Sequence, residues 1–174
     1  HDNMEIITIP ISGKLAHQDS MGHKQEIKPD EVQVMSAGTG IFHSEYNAST
    51  IDECNLFQIW IYPAFKNVVP RYDQKYFEPE QSKNKWQLLV SGPESIEGCL
   101  TINQNAKISR LMLNEGNSID YNIGEQSYGS FVILITGEIE IADILLSERD
   151  SIGIYNTKKI NIKANRNSYL LNIE

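Results

Sequence analysis

EVQVMSAGTGIFHSEY, residues 31–46, is the stretch on which the fold turns. Glu31-Val32-Gln33-Val34-Met35 alternates polar and apolar side chains, the period of a half-buried strand. Ser36-Ala37-Gly38-Thr39-Gly40 is a bend of small residues, and Ile41 to Tyr46 is a second short strand. The flanks agree. Upstream, Met4 to Ile9 is rich in β-formers and ends at a Ser12-Gly13 turn; Lys14 to His17 resumes, and Ser20-Met21-Gly22 turns again. Downstream, Leu56 to Tyr62 (LFQIWIY) is a further strand. Nothing in this half has the 3.6-residue period of a long amphipathic helix.

The character changes at Pro63. Pro63, Pro70 and Pro79 fall among polar and charged residues, so residues 63–92 read as a connector between lobes at 1–62 and 93–174. The second lobe repeats the pattern of the first. Phe131 to Ile135 is an apolar run, Thr136-Gly137 turns, Glu138 to Ile141 alternates, Ser147 to Asp150 turns, and Ile152 to Ile154 follows. In this register Gly137 falls on Gly13 and Asp150 on Glu31. A duplication of strand, glycine turn, strand, acidic turn and strand predicts an all-β protein of two stacked barrels.

Bulk properties narrow the class. At 174 residues the chain has room for one large all-β domain or two small ones. No apolar run approaches the roughly 20 residues of a membrane helix. HDNMEIITIP lacks the basic and apolar regions of a signal peptide, so a cytoplasmic location is expected, without membrane contact. Net charge is -8, and the short basic stretches Lys83-Asn84-Lys85 and Lys158-Lys159 read as solvated surface. That speaks against nucleic acid as a partner. Cys54 and Cys99 form no CxxC pair and read as free, mostly buried thiols in a reducing compartment. The chain opens on His1 rather than Met, which suggests a piece of something longer.

Imidazole chemistry is confined to the first quarter, because the histidines are His1, His17, His23 and His43. His43-Ser44-Glu45 is the sharpest element. Residues i and i+2 of a strand point to one face, so imidazole and carboxylate project together. Two histidines and a carboxylate form the facial set that suits non-haem Fe(II). An HxE alone also fits a surface pair or a structural hydrogen bond. His1, four positions before Glu5, is a possible second histidine, although a terminal histidine often carries no role. His17, in the polar stretch HQDS, reads as a histidine satisfied by hydrogen bonds, and His23 as exposed in a turn.

HDNMEIIT, HQDSMG, QVMSAGTGIFHSEYN, FQIWIYP and PRYDQKYF, in that order, resemble the pirin family of the cupin superfamily; the run MSAGTG-x-x-HSE is the most specific of them. The resemblance implies a double cupin of two β-barrel (jelly-roll) domains, the first truncated at its N-terminus. It implies metal ligation by His1, His43 and Glu45, with one more ligand two residues before His1. Glu5 and Asn47 match motif positions that are not ligands, Glu5 as a structural residue. Asp30 stands where relatives often carry a turn glycine, a conformation Asp tolerates. In the second lobe Glu125, Ile162 and Ala164 stand where His1, His43 and Glu45 fall. Ile and Ala cannot ligate, so that lobe is expected to hold no metal and no other cofactor.

The expected cofactor is Fe(II), with Mn, Ni, Cu and Zn also suited to such ligands. The resemblance implies a quercetin 2,3-dioxygenase-like enzyme acting on a flavonol or related small aromatic, with Glu45 both a ligand and the base for a substrate hydroxyl. Two other readings stand beside it. One is a regulatory protein that acts through protein partners and uses iron as a switch. The other is a metal-free storage or structural cupin.

Overall fold

Strands succeed one another along almost the whole chain. The computed structural model describes residues 1–94, 96–124 and 129–174. Its strands are β1 (Glu5–Ser12), β2 (Leu15–Asp19), β3 (Lys24–Ile27), β4 (Glu31–Ser36), β5 (His43–Asn47), β6 (Asn55–Ile61), β7 (Arg71–Tyr76), β8 (Gln87–Ser91) and β9 (Leu100–Thr101). They continue with β10 (Ile108–Leu113), β11 (Ser118–Asn122), β12 (Gly129–Thr136), β13 (Glu138–Ile141), β14 (Ile144–Ser147), β15 (Ser151–Tyr155), β16 (Lys159–Ala164) and β17 (Ser168–Ile173). A single 3-10 turn, Pro79–Ser82, interrupts them among the described residues. No helix among those residues is long and apolar enough to cross a membrane.

The chain forms two units. The first comprises residues 1–78 and 91–105, the second residues 79–90 and 106–174. Residues 63–92 are therefore more than a connector. They carry β7, which pairs with β4 from Glu31↔Tyr76 to Ser36↔Arg71, and β8, which pairs with β10. Prolines punctuate this segment, but the strands between them gain their hydrogen bonds from partners far away in sequence.

In the first unit one sheet has the order β6-β1-β4-β7 and the other β3-β2-β5. In the second unit the sheets run β15-β12-β17-β10-β8 and β11-β16-β13-β14. Taken in chain order, β1 to β6 and β12 to β17 pair alike: β6-β1-β4 answers β17-β12-β15, and β3-β2-β5 answers β14-β13-β16. The duplication reaches single atoms. A Cβ on Gly13 (φ +75) would lie 2.2 Å from the Glu53 carbonyl oxygen, just before β6; on Gly137 (φ +98) it would lie 2.4 Å from that of Asn167, just before β17. The edges differ. In the second unit β17 and β16 each take a further neighbour, β10 and β11, whereas β6 and β5 end their sheets among the described residues; conversely β4 takes β7, whereas β15 ends its sheet.

The units fill their interiors differently. The second is packed with apolar side chains such as Leu111, Val132, Leu134, Ile139, Ile162, Ala164 and Leu170. Each large aliphatic side chain so buried contributes about 1.5–3 kcal/mol. In the first unit Ile6, Met35, Ala37 and Ile41 form a smaller cluster. Its strand β4 departs from the half-buried expectation: the alternation is present, but Val32 to Ser36 are all buried, polar Gln33 included. Both faces of that strand are covered, so polar residues on one of them face the interior. Asp30 adopts the left-handed conformation (φ 67) and accepts a hydrogen bond from the Phe77 N–H (2.8 Å) on its carbonyl.

Candidate metal centre

Strand register builds the site. β2 and β5 pair antiparallel with His17 opposite Glu45 and Asp19 opposite His43. Opposed residues share a face, as do i and i+2, so these four side chains project together. Glu45 Oε1 lies 3.5 Å from His17 Nδ1 and 3.7 Å from His43 Nδ1. One donor atom from each of the three residues lies within 4.8 Å of those of the other two. His17 is wholly buried, and the side chains of His43 and Glu45 are partly buried, 12% and 17% exposed.

Each group is held from behind. Asp19 Oδ2 faces His17 Nε2 at 3.3 Å, and that carboxylate also accepts the backbone N–H groups of Met21 (2.9 Å) and His23 (3.0 Å). A carboxylate at Nε2 keeps the proton there and leaves Nδ1 with its lone pair toward the cluster. Gln58 Nε2 donates to Glu45 Oε2 (2.6 Å), and Trp60 Nε1 donates to Gln58 Oε1 (3.0 Å). His23 is partly exposed, as its turn position suggested, yet its Nδ1 lies 2.9 Å from Asp19 Oδ2 and its ring stacks on Tyr72.

Electrostatics follow from burial and neighbours. Burial pushes the Glu45 carboxyl up, but the adjacent His17 and His43 imidazoles and the hydrogen bond from Gln58 outweigh it and hold the group below its ordinary value. Burial lowers His17, but Glu45 and Asp19 more than reverse that, so its pKa is raised. Burial dominates at His43 and lowers it. His43 is thus neutral and Glu45 ionised near neutral pH, the states in which both donate to a cation.

The donors fit a metal. His17 Nδ1, His43 Nδ1 and Glu45 Oε1 are buried with no hydrogen-bond partner, and both imidazole nitrogens close on that one carboxylate oxygen. Ligand atoms each about 2.1 Å from one cation stand roughly 3–4 Å apart, which brackets the two distances to Glu45.

His43 and Glu45 come together as their spacing predicts. The His1 ring lies 4.9 Å from that of His43, centroid to centroid, and meets the edge of Trp60; its ammonium group donates to the Ile41 carbonyl (2.9 Å). His17 joins the cluster although its sequence context suggested only a hydrogen-bonded histidine. The signal was present in its own spacing: His17-Gln18-Asp19 is a second histidine and carboxylate at i and i+2. Glu5 is structural, accepting hydrogen bonds from Ser36 Oγ (2.8 Å) and Asn103 Nδ2 (3.1 Å), and Asn47 closes a loop onto Asp52 and Ser49. Ile162 and Ala164 are core residues of the second unit, while Glu125 lies outside the described residues.

Two barrel units with a shared strand order, one of them carrying a histidine–carboxylate cluster, define a double cupin. The Pirin family model matches residues 1–61, and the model of the quercetinase C-terminal cupin domain matches 88–174. A quercetin 2,3-dioxygenase of Escherichia coli is 36% identical over 172 residues, covering 98% of this chain and 72% of that protein. A pirin-like protein of Caulobacter vibrioides is 33% identical, covering 100% of this chain and 74% of its own. Among solved structures, Escherichia coli YhhW superposes with a TM-score of 0.92 at 34% identity, covering 99% of this chain and 72% of that one. The bacterial pirin YhhW in complex with nickel(II) superposes at 0.90, with 33% identity and the same coverage. The chain belongs to the pirin family.

Proposed function

We propose that this protein is a metal-dependent dioxygenase, with iron(II) as its metal, that acts on a quercetin-like flavonol or a related small aromatic. The observation that carries the reading is the convergence of three buried, partnerless donor atoms from His17, His43 and Glu45. His1 lies outside that set of three, but its ring, 4.9 Å from that of His43, would supply a fourth donor. The quercetin 2,3-dioxygenase name of the Escherichia coli relative supports the substrate class, and the nickel(II) in YhhW supports a divalent transition metal.

Iron bound there supplies Lewis acidity and one-electron redox chemistry to a substrate oxygen. The chain's own residues do the rest. Glu45, held ionised, accepts the substrate hydroxyl proton at Oε1, while Gln58 fixes its other oxygen. Asp19 locks the His17 ring, and Tyr72, 5.2 Å from that ring, offers an aromatic wall. Two free thiols, Cys54 and Cys99, support a reducing compartment such as the cytoplasm.

The test is oxygen uptake with quercetin after anaerobic loading. Uptake is expected to require Fe(II) and to vanish in His43→Ala. A protein that binds iron, turns over no flavonol and retains one stoichiometric protein partner would instead be the regulatory kind. Absence of any bound metal would leave the storage reading.

A further inference from the structure

We propose that Thr8 and Gln33 form a hydrogen-bonding subsite in the first unit, which takes an uncharged hydroxyl or carbonyl group of an aromatic ligand seated beside the His–Glu cluster. This deepens the function proposed above and rests on it for where the ligand's reacting end lies.

One rung of the sheet carries the argument. Thr8 stands opposite Gln33 on β4 and opposite Gln58 on β6, and Gln33 stands opposite Gln74 on β7. Directly opposed side chains share a face, so Gln58, Thr8, Gln33 and Gln74 form one polar row. Two contacts turn that row toward the cluster. Gln58 Nε2 donates to Glu45 Oε2 (2.6 Å), and Tyr72, two residues from Gln74 and on its face, lies 5.2 Å from the His17 ring.

The outer members of the row are committed. Gln58 bonds Glu45 and Trp60; Gln74 Oε1 accepts the Tyr72 hydroxyl (2.7 Å), and its Nε2 donates to the Glu26 carbonyl (3.1 Å) and to Glu31 (3.2 Å). The inner members are not. Thr8 and Gln33 are fully buried, and Thr8 Oγ1, Gln33 Oε1 and Gln33 Nε2 have no hydrogen-bond partner. The Gln33 amide lies near the Tyr72 hydroxyl, which burial keeps protonated, but no hydrogen bond joins them.

Burying such groups without a partner is costly, and the duplicated unit displays the alternative. With Gly13 on Gly137 and Glu31 on Asp150, Thr8 corresponds to Val132 and Gln33 to Ile152. That pair is likewise directly opposed, and it is apolar. The same unit has Ile162 and Ala164 where the first has His43 and Glu45. Polar groups thus replace apolar ones at both places in the unit that holds the cluster.

The donor set selects the ligand class. A hydroxyl and a primary amide each donate and accept without charge, matching phenol, enol and ketone groups. A carboxylate or phosphate would call for a cation, and the adjoining rung of Trp60, Ile6, Met35 and Tyr72 supplies none.

The test uses Thr8→Val and Gln33→Met, near-isosteric changes that delete only the polar atoms, in protein loaded with Ni(II). Binding is titrated with quercetin and with flavan, its analogue without hydroxyl or ketone groups. Each variant is expected to weaken quercetin about tenfold, leave flavan and Ni(II) binding unchanged, and keep or raise the melting temperature of ligand-free protein. Unchanged quercetin affinity with Ni(II) bound overturns the subsite while the metal reading stands. So does a crystal structure of the quercetin complex in which only ordered water touches Thr8 and Gln33. A protein that binds no Ni(II), yet whose quercetin affinity still falls in both variants, sinks the metal reading and keeps the subsite.

Discussion

His17 and His43 sit in the same cluster yet are driven in opposite directions, which gives the metal-free protein a readable pH dependence. For His17 the folded value is raised above 6.5, so its contribution to stability is complete below that pH and lost as pH rises through the folded value. For His43 the folded value is lowered, so its effect is confined to pH below 6.5. Above 6.5, His17 is the cluster histidine that acts. Melting temperatures of chelator-treated protein are therefore expected to fall as pH climbs from 6.5, and the slope should flatten in His17→Gln. Metal affinity should move the other way, rising with pH as protons leave the donors. A second prediction concerns Asp19. Asp19→Asn unlocks the His17 ring and should weaken metal binding by about 10–100-fold with little loss of fold, read by competition with a chromophoric chelator. At this scale His43 and Glu45 were legible from local spacing alone. His17 was not, because its place in the cluster depends on a β2–β5 register that no local pattern states.

The hairpin between β1 and β2 is the element on which that register hangs. Gly13 closes it at φ +75, and a Cβ there would collide with the Glu53 carbonyl at 2.2 Å and the Cys54 Cα at 2.8 Å. Gly22 has a similar backbone angle (φ +96) but open space around it. Gly22→Ala should cost about 1–2 kcal/mol for the left-handed conformation alone. Gly13→Ala should cost clearly more, since backbone must also move, and should weaken metal binding by shifting β2; chemical denaturation and metal titration of both variants check this. Equal losses would show that the close approach is unimportant. The glycine correspondence could be read from the sequence because it rests on turn chemistry. Strand β7 could not. RYDQKY lies among prolines and charges, and only its ladder with β4 makes it a strand. The expectation that β4 is half-buried failed for a related reason: period shows which residues share a face, but not whether that face meets water.

Across the whole molecule the duplicated units have diverged in what fills them, and this bears on stoichiometry. The second unit closes its interior with Ile162 and Ala164, fully or almost fully buried, where the first has His43 and Glu45. An aliphatic lining offers no lone pair, so one metal ion per chain is expected. Elemental analysis should return one ion for the wild type and none for His43→Ala. Leu170→Ala in the second unit should remove about 2–5 kcal/mol of stability and leave the metal count at one. Because metal binds the folded state, loading to a hundred times the dissociation constant should add about 2.7 kcal/mol and raise the melting temperature, reversibly with chelator. That increment should vanish in His43→Ala and persist in Leu170→Ala. Two ions per chain, or a metal-dependent rise that survives loss of His43, would mean that the cation is held elsewhere and that the orphaned donor atoms of β2 and β5 serve some other purpose.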